Sequence, residues 1–379
     1  MIQTMRNAWK VPELRGKLLF TVFALLIFRL GSAVPVPFIN VDMLSDYMTA
    51  QSASIFGLLN VMSGDAFAQA TVFALSIQPY INSSIIIQLL TIAIPALERL
   101  QKEGGEEGKK KLAAITRYAT VGIALIQAFG FYTMLRVGSG GTSFLSTTGI
   151  WPAFVIIAAF VAGSAFLMWL GEQITEFGIG NGISIILFAG IVARGPSMVG
   201  SMIDGVRGWI AKSDPATSLV LHPAFILLIV AGMLLLVAFI VFMDNSERRI
   251  PVQYAKRVVG RKMYFFSYFY NTIQFNPIEV SNNLKKNGGF VPGFRPGKPT
   301  SDFLSKVVSR ITMFGALYLA VVALLPTIVG NIMLLAGSSA GRSLAIGGTS
   351  VIIVVGVALE TVKALEAQLM MRHYKGFLE

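Results

Sequence analysis

The polar residues that could carry chemistry are few, and they fit no catalytic pattern. The sequence has two histidines and no cysteine. The absence of cysteine excludes disulfides and thiolate metal sites. It contains no HExxH metalloprotease motif, no GxSxG nucleophile motif and no Walker loop for nucleotides. Gly178, Gly180 and Gly182 follow no strand and lack dinucleotide-binding spacing, so they predict a tight turn that enters a helix. We therefore expect no enzyme activity, no cofactor and no metal site.

A second group of polar residues lies inside or beside apolar stretches. Pro79 is expected to free a backbone carbonyl, and polar neighbours could satisfy it: Ser76, Gln78, Asn82, Ser83, Ser84 and Gln88. Such residues can join membrane helices or line an aqueous path, and the residues alone leave both open. Arg29 should reach the interface, contact another helix or face a wet cavity. No carboxylate pair lies mid-stretch, which disfavours a proton-coupled carrier.

The elements that must position these residues are long apolar runs. Hydrophobic residues make up 54% of the 379 residues and charged residues only 13%, whereas about a quarter of a soluble domain is charged. A helix needs about 20 apolar residues to cross a bilayer. The sequence therefore predicts eight spans, and their long apolar runs do not fit barrel strands, which alternate over about 10 residues. The spans are Leu18–Pro35, Thr71–Pro95, Ala119–Leu135, Ile150–Leu170, Ile183–Ala193 with its flanks, Leu219–Met243, Ile311–Gly330 and Ile346–Leu359 with its continuation.

The distribution of basic residues predicts the orientation of these spans. Lysines and arginines number 31, and the formal net charge is +12. With the N-terminus in the cytoplasm, 25 of the 31 fall on the cytoplasmic side, five fall outside and Arg29 lies within the first span. Basic loops are retained on the cytoplasmic side of membranes, so both termini are expected there. Setting the topology already accounts for most of these charges.

Two segments between the spans are unusual. The stretch Ser54–Gly64 is apolar yet too short to cross, so it is interfacial, re-entrant or an exposed amphipathic loop. The segment 244–310 is long and basic, and its tip at 285–299 is punctuated by glycine and proline. A cationic tip of this kind suits docking to an acidic or phosphate-rich partner.

Several ordered stretches resemble signature segments of the SecY family of protein-conducting channels, and together they run along nearly the whole chain. They are Phe73–Leu90, Met168–Glu176, Gly178–Ser184, Phe275–Pro277, Asn283–Lys286, Phe290–Gly297 and Gly347–Ser350. The resemblance implies an all-α polytopic membrane helix bundle, with an inverted repeat around a central pore. Its N-terminal half would be 1–200, with spans one to five and a plug at 55–64. Its C-terminal half would be 201–379, with span six, basic cytoplasmic loops at 244–310 and the last two spans.

The resemblance also implies roles for individual residues. Apolar side chains would form the pore ring: Ile77, Ile81, Leu187 and Ile353. The plug would be carried by Ile55, Phe56, Leu58, Leu59, Asn60, Ser63 and Gly64. A lateral gate would include Asn82, Gln88, Arg117 and Gln127. The ribosome or the motor would dock on Arg248, Arg249, Lys256, Arg257, Lys285, Lys286 and Arg295.

These implications define an expected function. The chain would be the central pore subunit of the Sec translocase in the bacterial plasma membrane, passing unfolded polypeptides and inserting apolar segments into the lipid bilayer. Its partners would be SecE, SecG, the SecA motor ATPase, the ribosome and polypeptides that carry signal sequences. A small-solute secondary transporter is the alternative, and a non-catalytic membrane scaffold for ribosomes is a third class.

The chain departs from the family in one place. Family members have ten spans, whereas eight are predicted here. The flanking residues resemble the loop before the seventh family helix and the end of the eighth, so most of that hairpin is missing at Tyr264/Phe265. An incomplete chain, an engineered deletion and a natural short form are all compatible with this break.

Overall fold

The computed structural model describes residues 6, 8–50, 55–102, 104–138, 143–196, 200, 203, 207, 223–246, 253–254, 277–335 and 348–375. Most of these residues are helical. The first six helices are α1 (Pro12–Gly31), α2 (Val41–Ala50), α3 (Ile55–Met62), α4 (Gln78–Ala93), α5 (Pro95–Lys102) and α6 (Gly105–Val137). They are followed by α7 (Ile150–Phe177), α8 (Gly182–Ala193), α9 (Pro223–Asp244), α10 (Pro277–Lys286), α11 (Lys298–Leu335) and α12 (Gly348–Lys375). Strands β1 (Gln253–Tyr254) and β2 (Gly289–Phe290) pair antiparallel.

Contacts divide the chain into two compact units. The first contains Met1–Val241 together with Pro326–Glu379, and the second contains Phe242–Leu325. The first unit holds the helices α1 to α8 and α12, and the second holds α10 and the β1–β2 ladder.

A helix occupies each of the eight predicted spans, although its length varies. By length and apolar composition, α6, α7 and α11 could each cross a membrane. The helices α4 and α5 would make a fourth span if counted together, but they meet at a bend of 106°. The helix α8 is apolar but has only 12 residues. Within the described residues, helix length and composition thus support three or four spans rather than the predicted eight.

The second predicted span begins later than the sequence suggested. Thr71 forms a β-bridge with Pro35, and Ser76 has a left-handed φ of 50°. The helix α4 starts at Gln78, so Pro79 occupies its first turn, where a missing N–H leaves no hydrogen bond unmade. The prediction that Pro79 frees a carbonyl within a helix is therefore wrong.

One apolar core joins α6 and α7 to the chain that follows α3. Phe131 of α6 stacks on Phe67 with ring centres 4.3 Å apart, and it contacts Phe160 of α7 at 5.1 Å. Phe160 is fully buried. Gly163 lets α7 approach the Val72 carbonyl so closely that no side chain would fit between them.

The predicted glycine turn between α7 and α8 is confirmed. Gly178 ends α7, and Gly180 has a φ of 74°. Asn181 caps α8, because its Oδ1 accepts hydrogen bonds from the backbone N–H groups of residues 183 and 184. A side chain at Gly182 would collide with the Gly171 carbonyl, so the turn brings α8 against the end of α7.

Candidate functional site

The four residues predicted for the pore ring lie in one apolar cluster, although three helices supply them. Ile77, the N-cap of α4, is fully buried, and Leu187 of α8 is nearly so. Ile81 of α4 and Ile353 of α12 are partly buried and pack against the same cluster. The structure therefore brings all four together from distant parts of the sequence.

The cluster extends well beyond these four side chains. Phe28 of α1 lies parallel to Phe73 at 6.2 Å, and Phe73 lies parallel to Phe166 of α7 at 5.9 Å. Further buried members come from α7 and α8: Leu167, Leu170, Ile174, Ile185 and Ile186. An apolar constriction of this composition can exclude water and ions by dewetting.

The predicted plug is the short helix α3 and the turn that follows it. Ile55, Phe56 and Leu58 lie on this helix. Beyond them, Leu59 and Asn60 are half-buried, while Ser63 and Gly64 are buried. Met62 packs against the apolar cluster, and its Sδ accepts a hydrogen bond from Gln78 Nε2 at 3.2 Å. The helix α3 thus contacts the start of α4, where Ile77 and Ile81 lie.

Side-chain hydrogen bonds fix the turn after the plug helix. Asn60 Nδ2 donates to Asp65 Oδ1 at 2.9 Å, and Asn60 Oδ1 accepts from the Ala68 N–H at 2.8 Å. Ser63 Oγ donates to the Asn60 carbonyl and accepts from the Phe67 N–H. These bonds give partners to backbone N–H and C=O groups that are not paired within a helix, so the turn has a defined shape.

Two contacts join the end of α3 and its following turn to α8 and its C-cap residue, and neither was predicted. A Cβ atom on Gly64 would lie 2.9 Å from the Gly190 carbonyl oxygen, and one on Gly190 would lie 2.6 Å from the Met62 carbonyl oxygen. Beside this backbone contact, Arg194 Nε lies 3.2 Å from Asp65 Oδ1. A glycine in an apolar span is a general signal for close helix packing, but nothing in the sequence pairs Gly190 with Gly64.

The residues predicted to form a lateral gate lie on two helices that pack against each other, α4 and α6. Asn82 and Gln88 are half-buried on α4, and Gln127 is half-buried on α6. Ser83 Oγ donates a hydrogen bond to the Thr116 carbonyl at 2.8 Å, which ties α4 to α6. Arg117 is exposed, and its Nε donates to Glu172 Oε1 of α7 at 2.8 Å. The residue types and their spacing do not predict this ion pair.

A cavity of about 470 Å³ is lined by one residue from the predicted pore ring and one from the predicted lateral gate. It is bordered by Ile81 of the pore ring and by the Arg117–Glu172 ion pair. Its remaining lining residues are Tyr80, Ser84, Ile85, Thr175, Glu176, Asn181 and Ile183. The cavity is therefore apolar at Ile81 and charged where Arg117 of α6 meets Glu172 near the end of α7.

The described residues that are predicted to dock the ribosome or the motor lie in the second unit, at the end of α10 and on the loop that follows it. Lys285 and Lys286 end α10, and both are exposed, as is Arg295. The Arg295 carbonyl accepts from Thr300 Oγ1 at 2.8 Å, and Ser281 Oγ donates to the Gly297 carbonyl at 2.7 Å. These two hydrogen bonds fix the backbone of the loop that carries Arg295. Four further docking residues lie outside the described residues: Arg248, Arg249, Lys256 and Arg257.

No metal centre is found within the part of the chain that the structure describes. Groups of three or more histidine, cysteine, aspartate or glutamate residues that could hold a metal ion are absent from it.

Comparison with known proteins decides the family. The SecY family model matches residues 71–264 and 258–362. The chain belongs to the SecY family. It is 37% identical to the protein translocase subunit SecY of Streptomyces scabiei and 38% identical to that of Streptomyces coelicolor, with both chains covered completely in each case. The SecY of Mycobacterium tuberculosis is 34% identical over the same full coverage.

Solved structures agree with this assignment at the level of the fold. A protein-conducting channel superposes with a TM-score of 0.53 at 15% identity, covering 93% of this chain and 92% of that chain. A structure that addresses the SecY plug domain gives a TM-score of 0.52 at 14% identity, with the same coverage.

Family membership distinguishes the three functional classes that the residues left open. The chain is a protein translocase channel subunit, a multi-pass membrane protein and a component of the translocon. It is accordingly a transporter of polypeptides rather than an enzyme.

This chain is shorter than the relatives that it resembles. The alignment with the Streptomyces scabiei protein runs over 456 positions, whereas this chain has 379 residues, which leaves 77 positions of the relative without a counterpart. The two family matches meet and overlap at residues 258–264.

Proposed function

We propose that this SecY-family chain is the central pore subunit of a bacterial Sec translocase. It would pass unfolded polypeptides across the plasma membrane and release apolar segments sideways into lipid. The observation that carries the proposal is the convergence of Ile77, Ile81, Leu187 and Ile353 in one apolar cluster, with Met62 of the plug packed against it. An apolar ring closes around chains of any sequence without binding them, because it offers no polar partner.

The remaining predicted sites fit the same proposal. The helix α3 blocks the ring from the outer side at rest, and a translocating polypeptide displaces it. The helices α4 and α6, with Asn82, Gln88, Arg117 and Gln127, form part of the lateral gate. Energy comes from a partner that docks on the basic loops around Arg295, either the ribosome or the SecA motor. SecE clamps the halves 1–200 and 201–379 of the inverted repeat, SecG is an accessory subunit, and both termini are cytoplasmic.

The length difference is assigned to the missing hairpin. The 77 unmatched positions suffice for two spanning helices at about 20 residues each. The overlap of the family matches at residues 258–264 supports a break near Tyr264/Phe265. Losing two spans together preserves the orientation of every other span. An intact mass near the 40.9 kDa of this sequence would establish a real deletion, whereas a mass larger by two helices would mean that the hairpin is present.

Resting conductance tests the pore ring. Ile77→Ser and Ile81→Ser should each make the reconstituted channel leak ions at rest, because a hydroxyl at the constriction favours water. The measurement is single-channel current in planar bilayers without a translocating substrate. Ile92→Ser is the matched control, since Ile92 lies on the same helix with its side chain exposed.

Each outcome of this test has a distinct meaning. Leakage confined to the ring variants supports the proposed pore. Equal conductance of Ile77→Ser, Ile81→Ser and the unmodified channel would remove these residues from the ring. Saturable, solute-specific uptake into vesicles reconstituted with the unmodified channel would instead favour a small-solute transporter.

A further inference from the structure

The end of the plug is joined to α8 by an ion pair that no role assigned above includes. Asp65 Oδ1 lies 3.2 Å from Arg194 Nε, and the two side chains are 35% and 26% exposed. Arg194 directly follows α8, and Asp65 directly follows Gly64. Because both charges are partly withdrawn from solvent, salt screens their attraction less than that of a fully exposed pair.

The carboxylate of Asp65 is oriented before the guanidinium reaches it. Asn60 Nδ2 donates to the same Oδ1 at 2.9 Å, and the Asp65 N–H donates to the Asn60 carbonyl at 3.0 Å. Asp65 also has a φ of 70°, a left-handed conformation that residues other than glycine seldom adopt. A conformation of this kind persists where its surroundings enforce it. The acceptor is thus fixed, and forming the pair costs little additional side-chain entropy.

The backbone contact beside the pair restricts how the plug can rest on α8. Gly64 and Gly190 touch with no side chain between them, and Met62 presents its carbonyl to Gly190. At Gly64 and Gly190 themselves, no side chains interlock across this contact. The ion pair supplies the directional attraction that two glycines lack.

We propose that Asp65 and Arg194 form a latch that positions the plug in the resting channel and breaks when a translocating polypeptide displaces it. This inference rests on the proposed function, because it gives α3 and its turn a resting and a displaced position. Both charges are already partly hydrated, so opening exposes no fully buried ion. The latch is therefore reversible, and it biases the plug towards the closed position after each polypeptide has passed.

Electrical recording of the reconstituted channel complex tests the latch. Asp65→Asn and Arg194→Gln should each raise the resting open probability several-fold, because the closed position loses its charge attraction while the open position is unchanged. Arg194→Lys keeps the charge and should remain near the unmodified channel. Glu107→Gln is the control, since it breaks an exposed pair with Lys111 on α6, away from the plug.

A reversible cross-link provides a second test that does not depend on weakened variants. The chain has no native cysteine, so Asp65→Cys combined with Arg194→Cys gives one defined pair of thiols. A short, reducible thiol cross-linker should stop translocation of a signal-bearing polypeptide, and reduction should restore it. The same reagent on either single variant should have no effect.

The two tests separate the latch from the function on which it rests. Unchanged resting conductance in Arg194→Gln, with translocation intact, would overturn the latch and leave the pore function standing. Normal translocation through the cross-linked channel would overturn it as well. An unmodified channel complex that does not translocate a signal-bearing polypeptide would refute the proposed function, and the latch with it.

Discussion

Asn60 uses both ends of its side-chain amide within the turn that follows the plug helix. Its Nδ2 donates to Asp65 and its Oδ1 accepts from the Ala68 N–H, at 2.9 and 2.8 Å. The family resemblance predicts that Asn60 belongs to the plug, but it gives the side-chain amide no physical role. In the structure, the amide holds a non-helical turn together through both hydrogen bonds.

Asn60→Ala should loosen this turn. Removing the amide leaves the Ala68 N–H without its acceptor in a partly buried position, which costs about 1–3 kcal/mol. Hydrogen exchange should therefore show faster local opening across residues 60–70, measured against the unmodified protein.

The control for this prediction is Asn282→Ala, because Asn282 is exposed on α10. A surface change of this kind should alter stability by no more than about 0.5 kcal/mol. Equal exchange in residues 60–70 of Asn60→Ala and the unmodified protein would show that the amide does not hold the turn.

At the scale of elements, glycines set how closely the helices approach their neighbours. The backbone of α7 at Gly163 is in contact with the Val72 carbonyl, so this site has no space for a methyl group. Gly122 on α6 faces open space, and a Cβ atom there would meet nothing within 4 Å. Both glycines lie in apolar helices, and the sequence alone does not distinguish them.

Gly163→Ala should destabilise the protein, whereas Gly122→Ala should not. The added methyl group at residue 163 must push α7 away from residue 72, and overpacking of this kind costs roughly 1–3 kcal/mol. Thermal unfolding in detergent should show a lower Tm for Gly163→Ala. The Tm of Gly122→Ala should stay the same or rise slightly, because alanine favours helix over glycine. Equal Tm values for the two variants would contradict the close contact at Gly163.

At the scale of the whole molecule, helix length indicates which helices can span the membrane, and charge predicts which end of each helix faces the cytoplasm. The 33 residues of α6 form a helix about 50 Å long, which exceeds the roughly 30 Å hydrocarbon core of a bilayer. Three lysines lie near its start, and Arg136 lies near its end. The excess of basic residues at the start predicts that this end faces the cytoplasm.

Thiol labelling of intact cells checks this orientation in a chain that has no native cysteine. Lys110→Cys and Arg136→Cys place exposed thiols at opposite ends of α6. A membrane-impermeant maleimide should label only Arg136→Cys in right-side-out cells, and both variants after permeabilisation. Labelling of Lys110→Cys in intact cells would reverse the proposed topology.

The sequence by itself determined the class, the approximate positions of the apolar helices and the family, but not where α4 begins. Hydropathy, run length and charge act along the chain, and the signature segments occur in order, so none of these inferences required a contact between distant residues. The sequence also placed the glycine turn at residues 178–182 correctly, because left-handed backbone is a local property of glycine.

Only the tertiary structure decided which segments meet. The start of α4 depended on the bridge between Thr71 and Pro35, which the local hydropathy of the second span does not encode. The pairing of Asp65 with Arg194 likewise depends on how the plug turn lies against α8. Partners across a fold are chosen by shape and distance after the helices pack, so residue types and spacing could not have identified this pair.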